Sequence, residues 1–122
     1  MSEASDWMTN EDHHADARQF RRYRVDLRLR MLTGPANKHR TIFARGSNIS
    51  EGGMRVFVPA DLILGEMVTL ELMLPYSEQK LVVRGILRNR EGFSYGVEYA
   101  KSTTAAEREQ IARACKALAL IQ

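Results

Sequence analysis

Apolar residues recur at every second position through much of the middle of the chain. Residues 24–31 alternate in this way, with Val25, Leu27 and Leu29 separated by charged side chains, and residues 67–74 repeat the pattern. Because successive side chains of a strand point to opposite faces, this period predicts strands with one buried face. Six such segments are separated by turn-rich clusters, and they comprise residues 24–31, 40–49, 54–58, 67–74, 80–89 and 93–99. Short strands at this spacing predict a mainly β fold, a small antiparallel barrel or sandwich.

The C-terminal part of the chain has a helical period. Thr104-Ala-Ala-Glu107 has the spacing of a capping box, in which two side chains satisfy the first free amides of a helix. One apolar stripe follows, made of Ile111, Ala114, Cys115, Leu118 and Ile121. The pattern predicts an α-helix over about residues 104–121 that covers the open end of the barrel or packs along its side.

Cys115 is the only cysteine of the chain, so an internal disulfide is impossible. Its position on the apolar stripe predicts a buried, unreactive thiol rather than a nucleophile. A single unpaired cysteine favours a reducing compartment, and we expect a cytoplasmic protein.

Length and composition predict one domain with one core. The 122 residues are 44% hydrophobic, and no apolar run is long enough to cross a bilayer, so we expect no membrane association. Residues 1–16 carry five carboxylates and no Lys or Arg, whereas residues 18–30 carry six arginines and one aspartate. We therefore divide the chain into a flexible acidic tail, residues 1–17, and a domain, residues 18–122. The basic segment after the tail favours an anionic partner.

Candidate catalytic and metal-binding residues are few. His13, His14 and Asp16 lie together, but no further ligands follow at the spacing of a metal site. The sequence offers no grouping of nucleophile, base and orienting residue. We expect a protein that is not an enzyme and holds no cofactor or metal.

Two short motifs predict a binding site. The turn Asn48-Ile-Ser-Glu-Gly-Gly53 has Asn and Ser, which bond to nearby backbone, and glycines, which permit positive φ and close approach by another group. Arg18 and Arg22 lie four positions apart before the first strand. A guanidinium matches the O6 and N7 acceptors of guanine with two hydrogen bonds and also binds phosphate. An ordinary hairpin corner and a solvated basic run are the alternatives from the residues alone.

The order of these motifs resembles that of the PilZ domain family. The family's signature is RxxxR followed by (D/N)xSxxG, matched here by Arg18-x-x-x-Arg22 and Asn48-x-Ser50-x-x-Gly53. Tyr95-Gly-Val-Glu-Tyr99 is similar to the family's closing strand. The resemblance covers the chain from about residue 18 to the C-terminal helix.

The resemblance implies a six-stranded antiparallel β-barrel with a flexible N-terminal arm that wraps cyclic di-GMP, a bacterial second messenger. It implies that Arg18 and Arg22 bind guanine and phosphate, and that Asn48, Ser50 and Gly53 hold guanine on the barrel. Arg21 is an additional candidate beside the motif. We expect a stand-alone bacterial receptor whose arm becomes ordered on the ligand and changes the surface shown to an unidentified protein partner.

Two other functions remain open from the sequence. One is an adaptor whose site has lost ligand binding, and the other is a barrel that binds single-stranded nucleic acid. The second is disfavoured because the strand aromatics are spread over three strands, at Phe43, Phe57, Phe93, Tyr95 and Tyr99.

Overall fold

A computed structural model describes residues 20–35 and 38–122. The tail predicted over residues 1–17 and the candidate Arg18 lie outside these ranges. The described chain contains six strands, and their bounds are β1 Tyr23–Thr33, β2 Arg40–Ile49, β3 Gly53–Phe57, β4 Met67–Met73, β5 Lys80–Glu91 and β6 Ser94–Tyr99. The predicted strands are confirmed, with ends that differ by up to two residues.

The strands form a closed antiparallel barrel in the order β1-β2-β3-β6-β5-β4. Hairpins join β1 to β2, β2 to β3, β4 to β5 and β5 to β6, so most neighbours in sequence are neighbours in the barrel. β1 closes the barrel by pairing Leu29–Leu32 with the β4 residues Thr69–Leu72. Full closure leaves no unpaired sheet edge. The barrel alternative is therefore confirmed, and the sandwich is excluded.

The inner face of the barrel carries the apolar residues that set the period of two. In β4, Val68, Leu70 and Leu72 are almost completely buried, as the alternation predicts. Tyr95 is fully buried, and its hydroxyl donates to Ala60 O at 2.6 Å and accepts from Leu62 N at 3.0 Å. Both bonds fasten the β3–β4 connection to the core, because a buried hydroxyl needs partners.

The described residues contain one α-helix, α1, which spans Ala105–Ala119 and begins with the predicted capping box. Thr104 Oγ1 accepts from Glu107 N at 3.1 Å, and Glu107 Oε1 accepts from Thr104 N at 2.9 Å. The helix packs its apolar stripe into the core of the barrel and contacts β1 and β5; the buried members are Ile111, Ala114, Cys115 and Leu118. The prediction that Ile121 continues this stripe is wrong. The helix ends at Ala119, and Ile121 is 66% exposed.

Three carboxylates on the outer face of the barrel are paired with arginines. The strand carboxylates Asp26, Glu71 and Glu98 each bond to an arginine of a neighbouring strand. Glu71 has the least exposed side chain of the three, at 17%, and its Oε1 lies 2.7 Å from Arg30 Nη2. Hydrogen bonding to Arg30 lowers the pKa of Glu71 below its ordinary value.

Candidate ligand-binding site

The turn between β2 and β3 is built around the hydroxyl of Ser50. Ser50 Oγ accepts from Gly52 N at 3.1 Å and from Gly53 N at 3.2 Å, and Ser50 N donates to Gly53 O at 2.8 Å. Ser50 is completely buried. A ligand on the surface therefore meets the backbone that Ser50 shapes, and the hydroxyl itself is committed to the turn.

The glycines of this turn do not use positive φ. Among the described glycines, positive φ occurs at Gly34, Gly65 and Gly92, all outside the turn. Gly52 O accepts from Tyr99 N at 3.1 Å, which fixes the turn against the end of β6. The expectation that positive φ explains these glycines is wrong, and the Ser50 bonds to their amides give the turn its shape.

Asn48 lies at the end of β2 and carries an unsatisfied acceptor. It pairs with Arg24 of β1 on one side and with Arg55 of β3 on the other, next to a register shift between Gly46 and Asn48. Its Oδ1 is buried and has no hydrogen-bond partner among the described residues. Leaving such an acceptor unpaired costs about 1–3 kcal/mol, so a donor placed here by a ligand is favoured.

Arg22 is an exposed residue of the short segment that leads into β1. Partial burial lowers the pKa of Arg22 below its ordinary value. Burial also lowers the pKa of Arg55, nearby Glu91 raises it, and the positive charge of Arg22 lowers it again. The positive charge of Arg22 thus acts unfavourably on Arg55, and an anion near both side chains would relieve this repulsion.

Arg21 has partners of its own on the barrel. Its guanidinium lies 5.0 Å from the ring centroid of Tyr23, and Nη2 donates to Gln122 O at 2.9 Å. The Gln122 side chain in turn bonds to both backbone groups of Arg24, at 2.9 Å and 2.7 Å. Arg21 is therefore bonded to the C-terminal end of the described chain.

The sequence analysis missed Arg55, Asn89 and Ser94. Arg55 Nε donates to Ser94 Oγ at 2.8 Å, and Nη1 donates to Asn89 Oδ1 at 2.8 Å. Two sequence features could have pointed to them. Arg55 alternates with the apolar residues Met54 and Val56 and therefore faces outward, and Asn89 lies in a predicted strand, where asparagine is disfavoured.

Five positions on neighbouring strands form one row across the outside of the barrel. The strand pairing places Arg24, Asn48, Arg55, Gly96 and Asn89 next to one another on β1, β2, β3, β6 and β5. A Cβ at Gly96 would lie 2.7 Å from both Oδ1 and Nδ2 of Asn89 and would displace that side chain. Its absence lets Asn89 reach across β6 to Arg55. We call these five positions, together with Arg22 and the Ser50 turn, the polar row.

Groups for other chemistry are not gathered in the part of the chain that the structure describes. No cluster of three or more His, Cys, Asp or Glu residues occurs there. Cys115 is buried as predicted, and burial, with a smaller contribution from Glu51, raises the pKa of its thiol to about 12. Among residues 20–35 and 38–122, no helix has the length and apolar character needed to cross a bilayer.

The model of the PilZ domain family matches residues 16–117. This chain belongs to the PilZ family. A comparison with curated proteins gave no match. The predicted resemblance is confirmed, and it covers the barrel, the turn, and both arginines of the arm.

Three solved structures have the same fold. The Bacillus subtilis inhibitor of motility MotI/DgrA has a TM-score of 0.67 at 20% identity, over 84% of this chain and 51% of that one. This PilZ chain thus spans about half the length of MotI/DgrA. The PilZ domain of CeSA from a cellulose-synthesizing bacterium has a TM-score of 0.65 at 14% identity, over 81% and 98% of the two chains. The PilZ domain of Escherichia coli YcgR, solved with c-di-GMP, has a TM-score of 0.63 at 17% identity, over 84% and 91%.

Proposed function

We propose that this PilZ chain is a receptor for cyclic di-GMP that binds across the polar row. The observation that carries the proposal is the position of Arg55 beside a buried acceptor, Asn48 Oδ1, with the like charge of Arg22 acting on Arg55. Cyclic di-GMP supplies what such a site lacks, since its phosphates are anionic and the Watson–Crick edge of each guanine offers N–H donors. The PilZ domain of YcgR, solved with c-di-GMP, supports the same class of ligand for this fold.

Each residue of the site has a separate role in this proposal. Arg22, joined by Arg18, binds phosphate and the O6 and N7 acceptors of guanine. Asn48 Oδ1 accepts from the other edge of the base. Ser50 and Gly53 act through the backbone of the turn, because Ser50 Oγ already binds the amides of Gly52 and Gly53.

Arg55 adds a further guanidinium, which the barrel supplies rather than the arm. Its Nε and Nη1 are held by Ser94 and Asn89, so its plane is fixed before a ligand arrives. A fixed guanidinium loses little conformational freedom on binding, which favours affinity. Guanidinium planes also stack on aromatic rings, and a purine lying over Arg55 gains this contact.

The signal in this proposal is a change of surface. Binding draws the arm that contains Arg18 and Arg22 onto the polar row, and the arm with its ligand presents a new face to a protein partner. No catalytic step is needed for this output, and a cytoplasmic setting suits a receptor for a second messenger. Backbone amide relaxation of residues 16–24, recorded with and without cyclic di-GMP, tests the change. Equal order in the two states contradicts it.

Calorimetric titration with cyclic di-GMP, beside cyclic di-AMP and a single-stranded oligonucleotide, tests the receptor function. Cyclic di-AMP carries the same two phosphates but lacks the O6 acceptor and the N1–H donor of guanine. We expect micromolar or tighter binding of cyclic di-GMP and much weaker binding of the other two. Equal affinity for the two cyclic dinucleotides indicates a phosphate site without base recognition, and no binding of cyclic di-GMP leaves the adaptor function.

A further inference from the structure

Three exposed phenylalanines share one outer surface of the barrel. Phe43 is 74% exposed, Phe57 50% and Phe93 43%, whereas Tyr95 and Tyr99 are buried. The rings of Phe57 and Phe93 meet edge to face with centroids 6.4 Å apart. The aromatics that looked dispersed in the sequence are neighbours because β2, β3 and the β5–β6 turn are adjacent. We call the surface around Phe43, Phe57 and Phe93 the aromatic face.

Phe43 stands between two grooves of this face. One has a volume of about 320 Å³ and is lined by Leu29, Phe57 and Pro59 beside the Phe43 ring. The other has a volume of about 410 Å³ and is lined on its far side by Leu72 and Met73. Exposed apolar surface of this kind on a small domain indicates an interaction site. The two grooves can accept large apolar side chains of a segment that crosses the Phe43 ring between them.

The rim of the aromatic face is positively charged. Four cations, Arg28, Arg30, Arg45 and Lys80, stand there against two carboxylates, Asp26 and Glu71. Arg45 is paired with Asp26, and Arg30 and Lys80 share Glu71. Arg28 lines both grooves, and none of the residues in the described ranges forms an ion pair with it. The occupant of this face is therefore acidic as well as apolar.

The acidic segment of this same chain, residues 1–16, has both properties. Apart from Met1, its large apolar residues are Trp7 and Met8, and its five carboxylates are Glu3, Asp6, Glu11, Asp12 and Asp16, without any Lys or Arg. Its length also fits. The chain from Trp7 to Phe20 spans up to about 45 Å when extended, whereas β1 from Tyr23 to Arg28 covers only about 17 Å. Trp7 can therefore reach the grooves if the segment turns back along β1.

We propose that residues 1–16 dock on the aromatic face of their own barrel, with Trp7 beside Phe43 and the carboxylates facing the basic rim. Covalent attachment gives the segment an effective local concentration on the order of millimolar, so modest contacts suffice to hold it. Docking shields the aromatic face without a second protein. The inference is independent of the proposed ligand, because the face and the polar row use different residues.

Trp7 reports directly on this docking, since it is the only tryptophan of the chain. The experiment measures its emission maximum and acrylamide quenching in the full chain, beside Phe43→Ser and the control Ile63→Ser. Ile63 is 76% exposed and lines neither groove, so both variants remove an exposed apolar side chain. We expect blue-shifted, protected emission in the full chain and in Ile63→Ser, and loss of both signals in Phe43→Ser. Circular dichroism confirms that each variant folds.

Charge and concentration complete the test. Arg28→Glu and high salt should each shift the emission towards that of free tryptophan, because the carboxylates lose their partners. Emission equal to that of free tryptophan in the unaltered chain overturns the proposal and assigns the face to an external protein or nucleic acid. A blue shift that disappears on dilution also overturns it, since the segment then docks on a second copy. A blue shift that Phe43→Ser leaves unchanged places Trp7 elsewhere.

Discussion

Arg55 Nη1 donates a 2.8 Å hydrogen bond to Asn89 Oδ1, although the two residues are 34 positions apart and β6 lies between their strands. The bond fixes the direction of the guanidinium on β3 that stands next to Asn48 in the strand register. In the proposed complex, the arm supplies charge from one side of the ligand, and the barrel supplies it from the other.

Replacing Arg55 should weaken cyclic di-GMP binding. We expect Arg55→Ala to lose a charge-assisted contact worth about 1.5–3 kcal/mol, or roughly 10- to 100-fold in affinity. Asn89→Ala, which removes only the support, should cost less, about 0.5–1.5 kcal/mol. Titration calorimetry measures both. Arg84→Ala is the matched control, because Arg84 is an exposed arginine of β5 outside the polar row. Equal losses of affinity in Arg55→Ala and Arg84→Ala would show that only the net charge of the protein matters, and would contradict a specific contact at Arg55.

Gly96→Ala should act through Asn89. The new Cβ would lie 2.7 Å from the Asn89 amide and push it away from Arg55, so affinity should fall about as far as in Asn89→Ala. In an Asn89→Ala background the same change should have little further effect, because the colliding group is gone. A double-mutant cycle by titration measures this coupling. If the two substitutions lowered affinity additively, Gly96→Ala would not act through Asn89.

Ser50→Ala should destabilise the fold as well as the site. The change leaves the amides of Gly52 and Gly53 without their acceptor, and we expect the free energy of unfolding to fall by about 1–3 kcal/mol. Urea denaturation measures the difference. Ser77→Ala is the control, since Ser77 Oγ accepts from Gln79 N at 3.1 Å in an exposed turn, where the loss should stay below about 0.5 kcal/mol. Equal losses in the two variants would remove the special role of Ser50.

Cys115 should make stability fall at alkaline pH. Its folded-state pKa of about 12 lies above the ordinary value of 9.0, so the unfolded chain releases this proton first as pH rises. The contribution of Cys115 to the free energy of unfolding is therefore complete below pH 9 and is lost between pH 9 and 12. Urea denaturation across this window should show a steeper decline for the unaltered protein than for Cys115→Ala. Parallel declines, or rapid reaction of the native thiol with a disulfide reagent at pH 8, would contradict the burial of Cys115.

The barrel could be predicted from the sequence because its determinants are local. Alternation in segments such as residues 67–74 and the capping box at Thr104 each act within a few residues, and both are confirmed. The end of α1 was misplaced because Ile121 continues the helical spacing after the backbone has left the helix. Spacing alone does not reveal where hydrogen bonding stops.

The site was predicted only in part because its halves come from distant strands. The Asn48 turn and the arm are contiguous motifs, and a sequence motif can point to both. The bonds from Arg55 to Asn89 and Ser94 exist only once β3, β6 and β5 are paired in this register. The different setting of Arg21 likewise depends on Gln122, at the other end of the described chain.

Arg21 and Arg22 together allow the most direct test of the receptor function. They are adjacent arginines of equal charge, but Arg21 is bonded to Gln122 whereas Arg22 shares its electrostatic surroundings with Arg55. The measurement is calorimetric titration of cyclic di-GMP into the unaltered protein, Arg22→Ala and Arg21→Ala. Our account predicts that Arg22→Ala loses roughly 10- to 100-fold in affinity and that Arg21→Ala stays near the unaltered protein. Equal losses in the two variants, or none in Arg22→Ala, would contradict it.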